Sequence, residues 1–173
     1  EAADLDVRMN SALALAAFGD TRPRAFAVLK DLLERWESEA KNVPPETRTF
    51  PANDAASGVE PMPGKIPWQV GNVCSFLTRP EPQAEEMAPA LARLVTSPYR
   101  HVAQNAALAL ARIGPPARLA APALTDALRH DSGLVRVNAA LALAKVDRQI
   151  ATALKVLVAE LKNPVREVRG TAA

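Results

Sequence analysis

One cysteine, Cys74, stands alone among 173 residues, so the chain cannot close a disulfide within itself. Aromatic residues make up only 4% of it, while apolar residues together reach 49%. An interior short of rings must be filled by small and aliphatic side chains, alanine above all, which suits helices packed closely on one another better than one bulky core. No run of about 18 apolar residues occurs, which excludes a helical membrane span. The first residues, Glu1 to Asp6, are acidic and lack the basic start and apolar centre of a secretory signal. There are two histidines, His101 and His130. No catalytic, cofactor-binding or metal-binding residue is assigned from the sequence.

What the chain has instead is a repeat. Val102-Ala103-Gln104-Asn105-Ala106-Ala107-Leu108-Ala109-Leu110-Ala111 returns as Val135-Arg136-Val137-Asn138-Ala139-Ala140-Leu141-Ala142-Leu143-Ala144, 33 residues later. Val168-Arg169-Gly170-Thr171-Ala172-Ala173 opens another copy, and Val7-Arg8-Met9-Asn10-Ser11-Ala12-Leu13 carries the same pattern near the start. A second set keeps the same period: Leu91, Leu124 and Leu157, with Val95, Leu128 and Leu161. Two helical patterns per period in the thirties are the mark of a solenoid, in which each helix pair buries its apolar face only by stacking on its neighbours.

The repeats are placed at about 4–40, 66–96, 97–130 and 131–162, with a partial copy at 163–173 and an inserted loop at 41–65. Asp4 is expected to cap the first helix and Gly19 to end it. Thr21 and Pro23 open the second helix, whose apolar face is Phe26, Leu29, Leu32, Leu33 and Trp36. Six prolines between Lys41 and Pro67 break any helical period, so unstructured chain is expected there. Ile66 to Leu77 resumes as a divergent first helix, with Cys74 in the small-residue slot of Ala106. Asn163-Pro164 reads as an N-cap followed by proline at the first helical position. The chain starts and stops close to repeat motifs, and it is expected to be a piece of a longer protein.

The unit small-Pro-x-x-Val-Arg-x-x-Ala-Ala-x-Ala-Leu-x-x-Ile-Gly followed by Pro-Ala-Leu-x-x-x-Leu resembles the short HEAT repeats found in phycobilisome-lyase-like proteins. The resemblance implies an all-α, right-handed α-solenoid of stacked antiparallel helix pairs, of HEAT or armadillo type. It implies a binding platform and no chemistry, since HEAT solenoids share no catalytic residues. The iron-dependent hydroxylases of this architecture use His-Glu pairs, whereas His101 and His130 precede Val102 and Asp131. No catalytic group of the bilin lyases maps onto the chain.

Candidate sites follow from the repeat slots. Cys74 aligns with Ala106 and Ala139 and reads as a small buried residue. Trp36 and Trp68 flank the insertion and read as a cover over that joint, with a ligand pocket as the alternative. Asn10, Asn105 and Asn138 share a slot and are expected to hydrogen-bond between repeats. Leu13, Leu108 and Leu141, with Met9 and Val137, are assigned to an outward apolar row as a second contact surface. On the second helices, residues offset by two and five from the core leucine face solvent: Asp31, Arg93, Asp126 and Ala159 in one row, Glu34, Thr96, Arg129 and Lys162 in the other. Residues 1–86 hold nine Lys or Arg against fourteen Asp or Glu, whereas residues 87–173 hold twelve against five. This face therefore runs from acidic to basic, and it is the candidate surface for a protein partner. Two alternatives remain: nucleic-acid binding through the basic C-terminal half, and an accessory subunit of a bilin-lyase-like enzyme. No cofactor is expected.

Overall fold

The alanine slots come together in a computed structural model that describes residues 2–16, 22–41, 72–73, 82–97 and 99–173. The described helices are α1 (Ala2–Ala16), α2 (Arg22–Lys41), α3 (Ala88–Leu94), α4 (Arg100–Ile113), α5 (Ala121–Ala127), α6 (Gly133–Asp147), α7 (Ile150–Glu160) and α8 (Arg166–Ala172). Short 3-10 turns, Pro82–Met87 and Pro115–Ala120, lead into α3 and α5. No strand occurs among the described residues. First helices pack on first helices, α4 on α6 and α6 on α8, while α2 packs on α3 and α3 on the turn that leads into α5. The architecture is thus an α-solenoid, and α2 meets α3 although more than forty residues separate them in sequence.

Alanine makes the central contact. Ala106 and Ala107 on α4 and Ala139 and Ala140 on α6 are all fully buried, as expected from their place in the repeat. A side chain of one carbon lets two backbones approach closely, so neighbouring atoms gain dispersion contacts that a larger residue would hold apart. One continuous core runs from Met9 on α1 to Val146 on α6. A smaller cluster of Leu134, Val137 and Val168, with Leu141, Leu157, Val165 and Ala172 beside it, joins α6, α7 and α8.

The assignment of one leucine row to solvent is wrong. Met9 and Val137 are fully buried, Leu13 and Leu141 pack against the two clusters, and Leu108 is half-buried. Two residues further along each helix, Leu110 and Leu143 are buried as well, whereas Leu15 on α1 is exposed. An inner first helix has a neighbour on either side in the stack and its own second helix beneath, so leucines on opposite flanks both meet protein.

Helix ends also depart from expectation. α1 already begins at Ala2, so Asp4 lies inside the helix and is not its cap. Gly114 ends α4 with φ +74°, a left-handed region that glycine enters without a Cβ penalty. Asn163 is not an N-cap, because α8 starts at Arg166 with Val165 in that position, and Pro164 precedes the cap. Pro89 and Pro122, 33 residues apart, sit at the second positions of α3 and α5. Proline lacks the N–H that would continue a helix backward, and the preceding turns are 3-10. The matching residue in the next repeat is Lys155, and there α7 runs unbroken from Ile150.

Trp36 is fully buried, in keeping with a structural cover. Its expected partner Trp68, together with Cys74, Gly19, Thr21 and nearly all of the insertion, lies outside the described residues. The asparagine slot does not act as a ladder: Asn10 is exposed, Asn105 half-buried and Asn138 buried, and among the described residues the Asn138 Nδ2 finds no acceptor.

Replacing Ala139 with Leu pushes α4 and α6 apart. The expected outcome is destabilisation by about 1–3 kcal/mol in denaturant unfolding, with little change in slope. An unchanged midpoint would mean that this contact is loose.

Candidate partner-binding face

The second helices α3, α5 and α7 end in the same tightened turn, which sets one side chain per repeat at an equivalent place. Ser97 N–H donates to Leu94 O at 3.0 Å, His130 N–H to Ala127 O at 3.1 Å and Asn163 N–H to Glu160 O at 3.0 Å. Thr96, Arg129 and Lys162 precede these residues, and all three are exposed. Asp31 and Glu34 on α2, Arg93 on α3 and Asp126 on α5 are exposed too. The six candidate residues therefore lie on solvent-facing positions of the second helices and their terminal turns.

Their charges are not equally available. Arg8 Nη2 lies 3.2 Å from Asp31 Oδ2, and Arg93 Nη2 lies 3.5 Å from Glu34 Oε1. Exposed pairs of this kind contribute about 0–1 kcal/mol to stability, yet they cancel much of the local field. Arg129 and Lys162 make no ion pair among the described residues. The face is thus neutralised in pairs at its N-terminal end and basic at its C-terminal end, a weaker gradient than the charge counts imply.

Repeat counting also missed an apolar stripe on α7. Ile150 is 57% exposed, Leu154 53%, Val158 57% and Leu161 44%. Spacings of four, four and three put them on one side of the helix, roughly 17 Å long at about 1.5 Å per residue. The sequence reading took Leu157 and Leu161 as core slots, whereas Leu157 is half-buried and Leu161 exposed. One repeat earlier, the slots of Ile150 and Leu154 hold Ala117 and Ala121, which are buried. The signal was present in the small-to-large exchange at those two slots. Lys155 and Lys162 are exposed beside the stripe.

The only acid on α7, Glu160, turns inward and anchors the end of the helix. Arg136 Nε donates to its Oε1 at 2.6 Å, and Asn163 Nδ2 donates to its Oε2 at 2.6 Å. Burial by itself raises the Glu160 carboxyl, but the bonds from Arg136 and Asn163 and the attraction of the guanidinium outweigh it and hold the group below the usual range. Gly133 leaves room for this network. A Cβ there would lie 2.8 Å from Asn163 Nδ2, 2.9 Å from Val168 Cγ1 and 3.0 Å from Glu160 Oε2.

Two outcomes are expected. Gly133→Ala destabilises by about 1 kcal/mol despite the better helix propensity of alanine, since it displaces hydrogen-bonded atoms and a packed valine; a stabilised variant in thermal melts would contradict this crowding. Because the folded state depresses Glu160, its contribution is present above the unfolded value of about 4.3 and is lost as pH falls below it. Unfolding of Glu160→Gln against the parent chain should differ by about 1–3 kcal/mol at neutral pH and converge in acid.

Among the described residues no helix is long and apolar enough to cross a membrane, and no group of three His, Cys, Asp or Glu side chains could hold a metal ion. No curated protein matches the chain. The profile of HEAT repeats matches residues 87–173, and that of the PBS lyase HEAT-like repeat matches residues 7–35. The first covers half of the chain and spans the repeats whose alanine contact, tightened turns and stacked second helices are described above, so the chain belongs to the HEAT-repeat family.

Proposed function

We propose that the chain is a non-catalytic scaffold for protein–protein interaction, and that its partner docks on the second-helix face where the α7 stripe adjoins the exposed row. HEAT repeats often mediate protein binding. The observation that carries the reading here is the stripe itself, four large apolar side chains about half exposed on one helix. Fully burying one such side chain stabilises a complex by roughly 1.5–3 kcal/mol, so half of that each, over four residues, is a useful part of a binding free energy.

The neighbouring charges choose among partners. Lys155 and Lys162 border the stripe, and Arg129 stands one repeat away in the slot of Lys162. An amphipathic helix with leucines on one face and carboxylates along its flank fits both features: apolar contact supplies affinity, and opposite charge supplies orientation and encounter rate. A standard interface covers about 800 Å² on each partner. The stripe alone is smaller than that, so the rest falls to the exposed row toward Asp126 and Arg93.

The test uses a synthetic amphipathic peptide with a leucine face and glutamate flanks, and its counterpart with lysine flanks, in fluorescence anisotropy. The glutamate peptide should bind and the lysine peptide should not. Replacing Leu154 and Val158 together with Glu should weaken binding at least about tenfold with the melting temperature nearly unchanged, since both positions are half exposed. Charge reversal of Arg129 and Lys162 should slow association, most clearly at low salt. Equal affinity of the apolar double variant and the parent would remove the stripe from the interface. Tighter, steeply salt-dependent binding of a short DNA duplex would move the reading to nucleic acid.

A further inference from the structure

Ser97, His130 and Asn163 are spaced by 33 and perform the same local task with three different side chains. Tyr99 N–H donates to Ser97 Oγ at 3.3 Å, Ser132 N–H to His130 Nδ1 at 3.0 Å and Val165 N–H to Asn163 Oδ1 at 2.9 Å. Tyr99, Ser132 and Val165 are the N-cap residues of α4, α6 and α8, and none of them caps its helix with its own side chain. The acceptor two residues earlier fixes each helix start instead.

His130 does more than its counterparts. Its Nε2 lies 3.2 Å from Ser97 O, which ties the turn that opens α6 to the turn that opens α4. The partners decide the state of the ring. A backbone N–H can only donate, so Nδ1 accepts; a carbonyl oxygen can only accept, so Nε2 donates. In the neutral ring these partners place the proton on Nε2. Arg136 Nη1 secures the same turn by donating to His130 O at 2.7 Å and Asp131 O at 2.9 Å, as Arg169 Nη1 does to Asn163 O and Pro164 O one repeat later.

We propose that His130 is an acid-sensitive joint between the third and fourth repeats: protonation of its Nδ1 breaks the cap on α6 and loosens the stack there. A second ring proton would point a donor at the Ser132 N–H, which has no means of accepting it. The charged groups on the elements that the ring joins are Arg129 and Asp131 in its own turn, Arg136 on α6 with Glu160 of α7 bonded to it, and Arg100 and His101 at the start of α4. Of the two carboxylates, Glu160 already faces Arg136, and the exposed Asp131 side chain makes no hydrogen bond to the ring, so neither holds the Ser132 N–H once Nδ1 carries a proton. The cap needs the Nδ1 lone pair, so it is present while Nδ1 carries no proton and is lost when it gains one. Ser97 and Asn163 do not titrate, so the sensitivity is confined to one joint. That joint lies between Arg129 and Lys162, so acid would shift the two halves of the exposed row against each other.

The test uses the whole 173-residue chain. Thermal unfolding is followed at about pH 7.5 and about pH 5.5 for the parent, for His130→Asn and for His101→Asn, a range that brackets the ordinary imidazole titration. The parent and His101→Asn should lose about 2–4 °C on acidification, the shift that one hydrogen-bonded cap makes in a chain of this length. His130→Asn should keep the neutral midpoint and show no acid shift in this window, because an asparagine already performs the task at 163. The protection factor of the Ser132 amide, with the intrinsic pH dependence of exchange divided out, should fall about tenfold in the acidified parent and not in His130→Asn. If His130→Asn does not fold, nitrogen chemical shifts of the parent decide: an Nε2–H ring that gains a proton together with loss of Ser132 protection supports the joint. An Nδ1–H ring, an acid shift retained by His130→Asn, or a parent indifferent to pH overturns it.

Discussion

The distance at which α4 and α6 can approach governs the rest of the molecule. Ala106, Ala107, Ala139 and Ala140 allow that approach, and the repeat then carries the same spacing along the stack. A solenoid has no single centre to which a loose contact can relax; each pair touches only its neighbours, so an error in one spacing is passed along the stack. This explains why alanine dominates a core that is poor in rings, and why Trp36 and Tyr99, two of the largest buried side chains, are found on α2 and at the N-cap of α4 and not at the alanine contact.

The same logic shows where the sequence was readable. Helix pairs, the alanine slots, the end of α4 at Gly114 and the exposure of Asp31, Glu34, Arg93, Asp126, Arg129 and Lys162 follow from a period of 33 and the angular step of a helix. The pairing of Arg8 with Asp31 and of Arg93 with Glu34 does not, because it depends on which rows meet across helices 23 and 59 residues apart. The outward leucine row failed for a different reason: the number of neighbours a first helix has is a property of the stack and cannot be taken from one helix. Asn163 was misread because a following proline usually marks the first helical turn, whereas here the cap acts across two residues.

The α7 stripe marks the limit of treating repeats as copies. Lys155 stands where α5 has Pro122, and the loss of that proline goes with a helix that starts at the slot of Ala117 instead of the slot of Ala121. At the same two slots, Ile150 and Leu154 replace alanines that are buried one repeat earlier. A straightened helix with larger residues on its flank is what departs from the period, and departures from a repeat are where a scaffold acquires a surface of its own.

One further exchange shows how such a departure is accommodated. In the third repeat the contact slots of the first and second helices hold Ala103 and Ala127, both buried; in the fourth the same slots hold Arg136 and Glu160. Placing an ion pair in slots that hold two buried alanines one repeat earlier costs desolvation that its mutual attraction alone rarely offsets. Here each partner has further work. Arg136 also binds the carbonyls of His130 and Asp131, and Glu160 also accepts from Asn163 Nδ2, so two backbone carbonyls at the opening of α6 and the side-chain amide that follows α7 are satisfied by the same pair. Gly133 stands where the repeats before and after have Arg100 and Arg166, and its missing Cβ is the space the network occupies. Arg136, Glu160, Asn163 and Gly133 therefore form one unit: putting the third repeat's residue at any single one leaves a buried charge without its partner, a carbonyl without its donor, or two atoms in one place.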